Sequence, residues 1–171
     1  MNNDQLHERL LELHRKLAER DCASTAIIRA MAKLGKSLTE SVAAGLLSLG
    51  GFHAPVAEAM RVWERGEDEA YLRLWTIIPG FGSSWYTGEP DPLLGAFGED
   101  ALTDEELMRL AQITVNVQTI TQKPIFPNAA MYTAIVAASL GYDPEFAASL
   151  LVRGRVDTWC LIWAQNYRGL A

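Results

Sequence analysis

The chain is poor in most of the residue types that advertise chemistry. Two cysteines, Cys22 and Cys160, are too few for a disulfide framework and stand in no metal-ligand spacing, so they read as two reduced thiols packed in helices. Of the three histidines, His7 and His14 lie on a charged amphipathic stretch and read as solvated surface residues; only His53, between LGGF and Ala-Pro, stands at an element boundary where a side chain can face a cleft. No other ligand-type residue is spaced near it, and a metal site has no support. Basic residues are outnumbered, 15 against 21 acidic, for a formal charge of −6, which disfavours nucleic acid as a partner. Long apolar runs are missing too: IIRAMAKL, VAAGLLSLGGF and YTAIVAASLGY are each interrupted well short of a bilayer span. The opening MNNDQLHERL has no signal-peptide character, and a cytoplasmic location is expected.

Strand-like alternation is also nearly absent, and helical periodicity takes its place. The chain is expected to be all-α. Residues 3–20 put Leu6, Leu10, Leu13 and Leu17 on one face of an amphipathic helix. A second helix, 22–34, stops at Gly35, and the capping box Ser37-Leu-Thr-Glu40 opens a third, SVAAGLLSL, apolar on nearly every side. Such a helix is expected in a packed interface, within the chain or between chains. A fourth follows Pro55, and EDEAYLRLW makes a fifth. Residues 77–102, rich in Gly and Pro, read as one long irregular region, the kind of loop that tends to carry function. Thr103-Asp-Glu-Glu106 caps a helix over 103–120, the turn QKPIFPN leads into a helix over 128–140, and Gly141 stops it. Asp143-Pro144 begins another, and the chain closes with a helix through VDTWCLIWAQ.

Within the irregular region, IIPGFGSSWY has two glycines, two serines and no charge. Ser83 and Ser84 lack the strand-to-helix setting of a nucleophile elbow and read as turn-formers. The Pro79-Gly80-Phe81-Gly82 turn could present backbone N–H groups to a phosphate, a weak signal in isolation. Lys123, before a Pro-bounded turn, and Arg155, in an apolar helix, are the cations best placed to meet an anion, against the plainer reading of solvated or paired side chains.

Four segments, in one order over about residues 18–168, resemble the C-terminal half of citrate synthase and its relatives. CASTAIIRAMAKLGKSLTESVAAGLLSLGGFHAPVAEAM is similar to the family stretch that leads to Gly-Pro-Leu-His-Gly-Gly-Ala-Asn-Glu-Ala, here GGFHAPVAEA. PGFGSSWYTGEPDP resembles Pro-Gly-Phe-Gly-His-x-x-Tyr with its following Asp-Pro-Arg; KPIFPNAAMYTAIVAASLG resembles Lys-Gly-x-Tyr-Pro-Asn-Val-Asp-Phe-Tyr-Ser-Gly; and RGRVDTWCLIWAQ resembles Ala-Arg-x-x-Gly-Trp-x-x-His-Trp. The resemblance implies large-domain-like helices at 1–53 and 150–171 and small-domain-like helices at 54–149.

The family's reaction needs a carboxylate to take a proton from acetyl-CoA, a His to stabilise the enol, and a His to polarise the ketone of oxaloacetate. By the resemblance, His53 matches the enol-stabilising His, whereas the ketone-polarising His falls on Ser83 and the catalytic Asp on Ala130. Alanine cannot be a base, and serine at neutral pH replaces neither base nor cation. Arg155 matches an Arg that holds a dicarboxylate, but a second such Arg falls near Thr87 and a dicarboxylate-binding His falls on Glu19, reversing the sign where an anion would sit. The positions that resemble the CoA-contacting surface, Pro79, Gly80, Phe81, Gly82, Lys123 and Asn128, persist.

The reading taken forward is a homodimer built on helices two and three, without citrate synthase activity. It acts as a binding, regulatory or structural module, needs no cofactor, and has CoA or acyl-CoA as its implied ligand. Two alternatives stand beside it. One is an altered enzyme, a lyase or thioesterase on a CoA thioester that uses His53 with Ser83, Ser84, Glu19 or Glu58. The other is one subunit of a hetero-oligomer whose partner supplies the rest.

Overall fold

A computed structural model describes residues 1–20, 22–49, 55–83 and 86–167. Among them the regular structure is helical: α1 Asn3–Glu19, α2 Ala23–Lys33, α3 Leu38–Leu47, α4 Val56–Arg65, α5 Glu69–Leu72, α6 Pro92–Ala101, α7 Asp104–Thr121, α8 Ala129–Ser139 and α9 Pro144–Asn166. The fold is all-α. No helix among these residues is long and apolar enough to cross a membrane. The chain forms two compact units, one of Met1–His7 with Ala54–Ala148, the other of Glu8–His53 with Ser149–Ala171.

The first unit is built on α8, whose AAMYTAIVAAS sequence is small enough to be enclosed by other helices. Residues 130–137 are all buried, with α4 and α6 packed against the helix. Helix α4 brings Val56, Ala59, Met60, Val62 and Trp63 to that core, and α7 adds Leu110, Ile113 and Val117. Helix ends are closed locally. Asp68 accepts from the N–H groups of Ala70 and Tyr71, and Thr103 and Glu106 form a complete capping box at α7. Gly141, at φ 70°, ends α8 in the left-handed conformation that glycine adopts without a steric penalty.

Helix α6 corrects the expectation of an unbroken irregular region over 77–102. Pro92 takes the first helical position, where its missing N–H costs nothing, and Asp91 caps the turn by accepting from Leu93 N–H at 2.9 Å. Gly98 does not break this helix; it makes room for the ring of Tyr132, since a Cβ there would lie 2.8 Å from Tyr132 Cε1.

In the second unit, Leu10, Leu13 and Leu17 of α1 are buried as their spacing predicts, but His14 is buried with them and is not a surface residue. It lies on the same stripe, one residue from Leu13, and α9 covers it. Gly154 sits so close that a Cβ would fall 2.5 Å from His14 Cβ and 2.8 Å from Leu11 O. Helix α9 is one continuous helix, where the sequence was read as one helix from Pro144 and a closing one through VDTWCLIWAQ, and Gly154 within it is a contact surface. Trp159 is wholly buried with Ala18, Ile28 and Ile162, and Gly45 of α3 leaves space for its ring. Two smaller corrections concern side chains read as solvated or helical. His7 is half-buried, with Nδ1 3.1 Å from Tyr142 Oη, and Cys22 stands at the N-cap of α2, just outside the helix.

Gly154→Ala should lower the melting temperature by an amount equivalent to ~1–3 kcal/mol, because the nearest obstacles include main chain that cannot give way. Gly95→Ala, where nothing lies within 4 Å, should leave stability unchanged or slightly raised. Thermal melts of the two variants side by side check this; equal melting temperatures would contradict the close α1–α9 contact.

Candidate functional site

The Pro79–Gly82 turn is held chiefly by Asn128. Sequence places Asn128 directly before the apolar α8, a natural N-cap, and its Oδ1 accepts from Ala130 N–H at 2.9 Å. Its Nδ2 donates to Gly82 O at 3.0 Å, and its own N–H donates to Gly80 O at 2.8 Å. Gly82 N–H donates to Phe126 O at 2.9 Å, so Phe81 and Pro127 pair as an antiparallel bridge. Gln118 of α7 secures the returning segment by donating to Ile125 O at 3.1 Å.

The glycines are required here. Gly80 has φ 85° and a Cβ on it would come 2.7 Å from Met131 Cε and 3.2 Å from Ala59 Cβ; Gly82 has φ 89°. The turn therefore lies pressed on α4 and α8 with Pro79 and Phe81 buried. Two N–H groups that a phosphate would need, those of Phe81 and Gly82, are already engaged, by Ile78 O at 3.3 Å and by Phe126 O. What the turn offers a ligand is shape and the remaining polar edges, not an open row of donors.

Ser83, which the resemblance sets at the ketone-polarising position, follows this turn directly and is half-buried, its Oγ accepting from Tyr86 N–H at 3.3 Å. Ala130, which the resemblance sets at the catalytic carboxylate position, is 3% exposed at the start of α8. The Asn128 side chain, bonded at once to Gly82 O and Ala130 N–H, brings these two positions to either side of one amide. Lys123 is exposed, at the other end of the short segment that leads to Asn128. Thr87 is exposed. His53 and Ser84 lie outside the described residues.

Arg155 belongs to the second unit and is not a solvated cation. Its guanidinium donates to Ser24 Oγ at 3.3 Å, within a polar group that continues through Cys22 Sγ, 3.2 Å from both Ser24 Oγ and Thr25 Oγ1. Thr25 Oγ1 donates to Ala18 O at 2.8 Å and accepts from Trp159 Nε1 at 3.2 Å. Burial pulls the Arg155 guanidinium below its ordinary value, with the Cys22 charge opposing that shift. Burial raises the Cys22 thiol, but the Ser24 and Thr25 hydrogen bonds and the Arg155 charge outweigh it, so the thiol sits below its ordinary range. Burial, and next the Arg155 charge, depress His14 from 6.5 to about 3, so it is neutral in the folded protein at any ordinary pH. Sequence reasoning singled out Arg155 but not this setting. The signal was in the Cys-Ala-Ser-Thr run and in the place of His14 among leucines. Glu19 is exposed, and the described residues contain no cluster of three metal-ligating side chains.

No protein-family model and no curated protein matches the sequence. Solved structures do match by shape. The citryl-CoA lyase of Hydrogenobacter thermophilus superposes with a TM-score of 0.74 at 22% identity, over 96% of this chain and 69% of the lyase. Citrate synthase from Thermotoga maritima also gives 0.74, at 21% identity, over 100% of this chain and 52% of the synthase. The ATP citrate lyase of Methanosaeta concilii, solved in complex with (3S)-citryl-CoA, gives 0.72 at 17% identity over 96% of this chain but 32% of the lyase. The chain has the citrate-synthase-like all-α fold, spanning about half to two thirds of the first two of these proteins.

Two outcomes test the local energetics. Asn128→Ala removes the cap and the bond to Gly82 O together and should cost ~2–3 kcal/mol, whereas Asn128→Asp keeps the cap, loses the donor to Gly82, and should fall between; urea midpoints compare the three proteins. For His14, the folded value lies below the unfolded one, so its contribution to stability is complete above pH 6.5 and is lost as pH falls toward 3. Unfolding followed from pH 7 to 4 should show that loss, and His14→Gln should flatten it.

Proposed function

We propose that this chain is a non-catalytic, citrate-synthase-like module that binds CoA or an acyl-CoA and works as a homodimer in the cytoplasm, in a regulatory or structural role. The observation that carries the reading is the Asn128 tie. The glycine turn that resembles the family's CoA-contacting loop is kept in a fixed geometry, with Lys123 exposed nearby, while Ser83 and Ala130 leave two of the three reacting positions without an acid, a base or a cation. Mutation that preserves a loop's shape while emptying the chemistry beside it fits retention of binding without turnover. The structural neighbours lend support, since they include a citryl-CoA lyase and a lyase solved with citryl-CoA bound.

The dimer reading rests on the second unit. Helix α3 buries only Ser41 and Gly45 within the chain, and Leu47 is left 87% exposed, with Leu34 at the end of α2 70% exposed and Leu161 64%. Leu47 on α3 and Leu34 at the end of α2 belong to the helices expected to pair, and they are apolar side chains a second copy would cover; Leu161 is on α9.

The expected outcome with CoA or acetyl-CoA is a rise in melting temperature that grows with ligand concentration, and no release of free thiol from any acyl-CoA. No shift at millimolar ligand would leave scaffolding alone, and thiol release that depends on His53 would reinstate an enzyme. Light scattering should give twice the 18.9 kDa chain mass at micromolar concentration. Leu47→Glu should reduce it to the monomer, and a monomeric parent protein would remove the dimer.

A further inference from the structure

Helix α7 turns an unusual face to solvent. Asp104 and Glu105 head it, and Met108, Ala111, Gln112, Val115 and Thr119 follow at helical spacing, all of them exposed. The exposed positions of α1 show what a solvated helix of this chain carries: Glu8, Arg9, Glu12, Lys16 and Glu19. From Leu110 to Gln122, by contrast, α7 and its cap hold no charge at all. Met108 is 69% exposed and Val115 55%. Polar side chains on and beside the face bond within their own helix. Gln112 Nε2 donates to Asn116 Oδ1 at 3.0 Å, and the Thr114 and Thr121 hydroxyls donate to Leu110 O and Val117 O, each at 2.7 Å. What is left outward is a long, rigid and largely apolar strip, the kind of surface that a partner covers.

Charge is confined to the two ends of the strip, and that decides which partner fits. Asp104 and Glu105 open it, and Lys123, also exposed, follows the last turn. The arginines on its flank are engaged within the chain: Arg109 lies 3.1 Å from Glu67 and over the Trp63 ring, while Arg65 of α4 lies over the Tyr71 ring and 4.0 Å from Asp68. Glu89 follows Gly88 on the segment next to Pro124. Two copies of the strip packed parallel would crowd Asp104 and Glu105 of both copies together. Packed antiparallel, they have a register in which Asp104 meets Lys123, Met108 meets Thr119 and Gln112 meets Val115, each pair formed twice. The strip is thus complementary to itself, as a two-fold contact requires, and the helix dipoles run in opposite senses.

We propose that this face of α7 is a self-association surface on which a second copy of the chain packs its own α7 antiparallel, Asp104 of each copy meeting Lys123 of the other. The contact is separate from the α2–α3 pairing and rests neither on that pairing nor on the CoA reading. A chain with both faces joins dimers into tetramers or longer arrays. One helix pair covers less than the ~1,600 Å² of a standard interface, so the association is weak and shows at high concentration.

Sedimentation equilibrium of the full chain carrying Leu47→Glu, from ~10 μM to ~1 mM, measures this contact apart from α2 and α3. The mass should double from its value at the lowest concentration. Val115→Glu, which sets like charges at the middle of the contact, and Lys123→Glu, which sets acid against acid at both ends, should each weaken association by ~10-fold or more. Adding Asp104→Lys and Glu105→Lys to Lys123→Glu exchanges the signs and should restore the affinity to within a factor of ~3. No rise in mass at ~1 mM overturns the proposal. Association that survives Val115→Glu puts the contact elsewhere and also overturns it. Loss with Val115→Glu, but no response to Lys123→Glu or no recovery on exchange, keeps α7 in the contact and overturns the antiparallel register.

Discussion

One amide organises the first unit. Asn128 caps α8 through Oδ1, reaches back to Gly82 O through Nδ2, and donates its main-chain N–H to Gly80 O. Asparagine is suited to this because its side chain carries an acceptor and donors on one planar group. Aspartate would cap the helix but has nothing to give to Gly82. The turn it holds is costly in conformational terms, with two residues at positive φ, and is tolerable only because both are glycine and because Phe81 is buried beneath it. Through this tie, Gly82 and Ala130, far apart in sequence, are bonded to one side chain.

The second unit solves a different problem. It buries a tryptophan, a histidine and much of an arginine, groups that need partners, among helices otherwise lined with alanine, leucine and glycine. Gly45 and Gly154 let α3 and α9 come close to their neighbours, and the polar atoms find hydroxyls: Trp159 Nε1 donates to Thr25, Arg155 to Ser24. The Ser-Thr pair is thus a polar liner for a mostly apolar cluster. The neutral state of His14 follows from the same enclosure, since a second cation beside Arg155 would raise the cost of both.

These two arrangements bear differently on function. The turn and its tie fix a backbone shape, and on the proposed reading that shape serves binding, while Ala130 has no group that could move a proton. A fold shared with citryl-CoA lyase and citrate synthase structures therefore does not settle the activity. The distribution of charge speaks more directly: the acidic balance of the whole chain is concentrated, in the Trp75–Met108 stretch, into a segment without any cation.

Much of this was legible in sequence because it depends on neighbours along the chain. The helices follow from period 3.6, their starts from Ser37, Thr103 and Asn128, and the end of α8 from Gly141, since caps and turns are settled within a few residues. Local reading failed where a glycine or a polar residue answered to a distant partner. Gly98 fell in a stretch read as irregular, yet it clears space for Tyr132 on another helix; His14 looked solvated, yet lies under α9 at Gly154. The chain's order of residues determined that it is helical, acidic, and without a base or cation at Ala130 and Ser83. Only the tertiary structure decided that Gly82 N–H is engaged by Phe126 O, that Asn128 joins the turn to α8, and that Arg155 lies half-buried beside a hydroxyl, because each of these depends on which groups meet across long intervals of sequence.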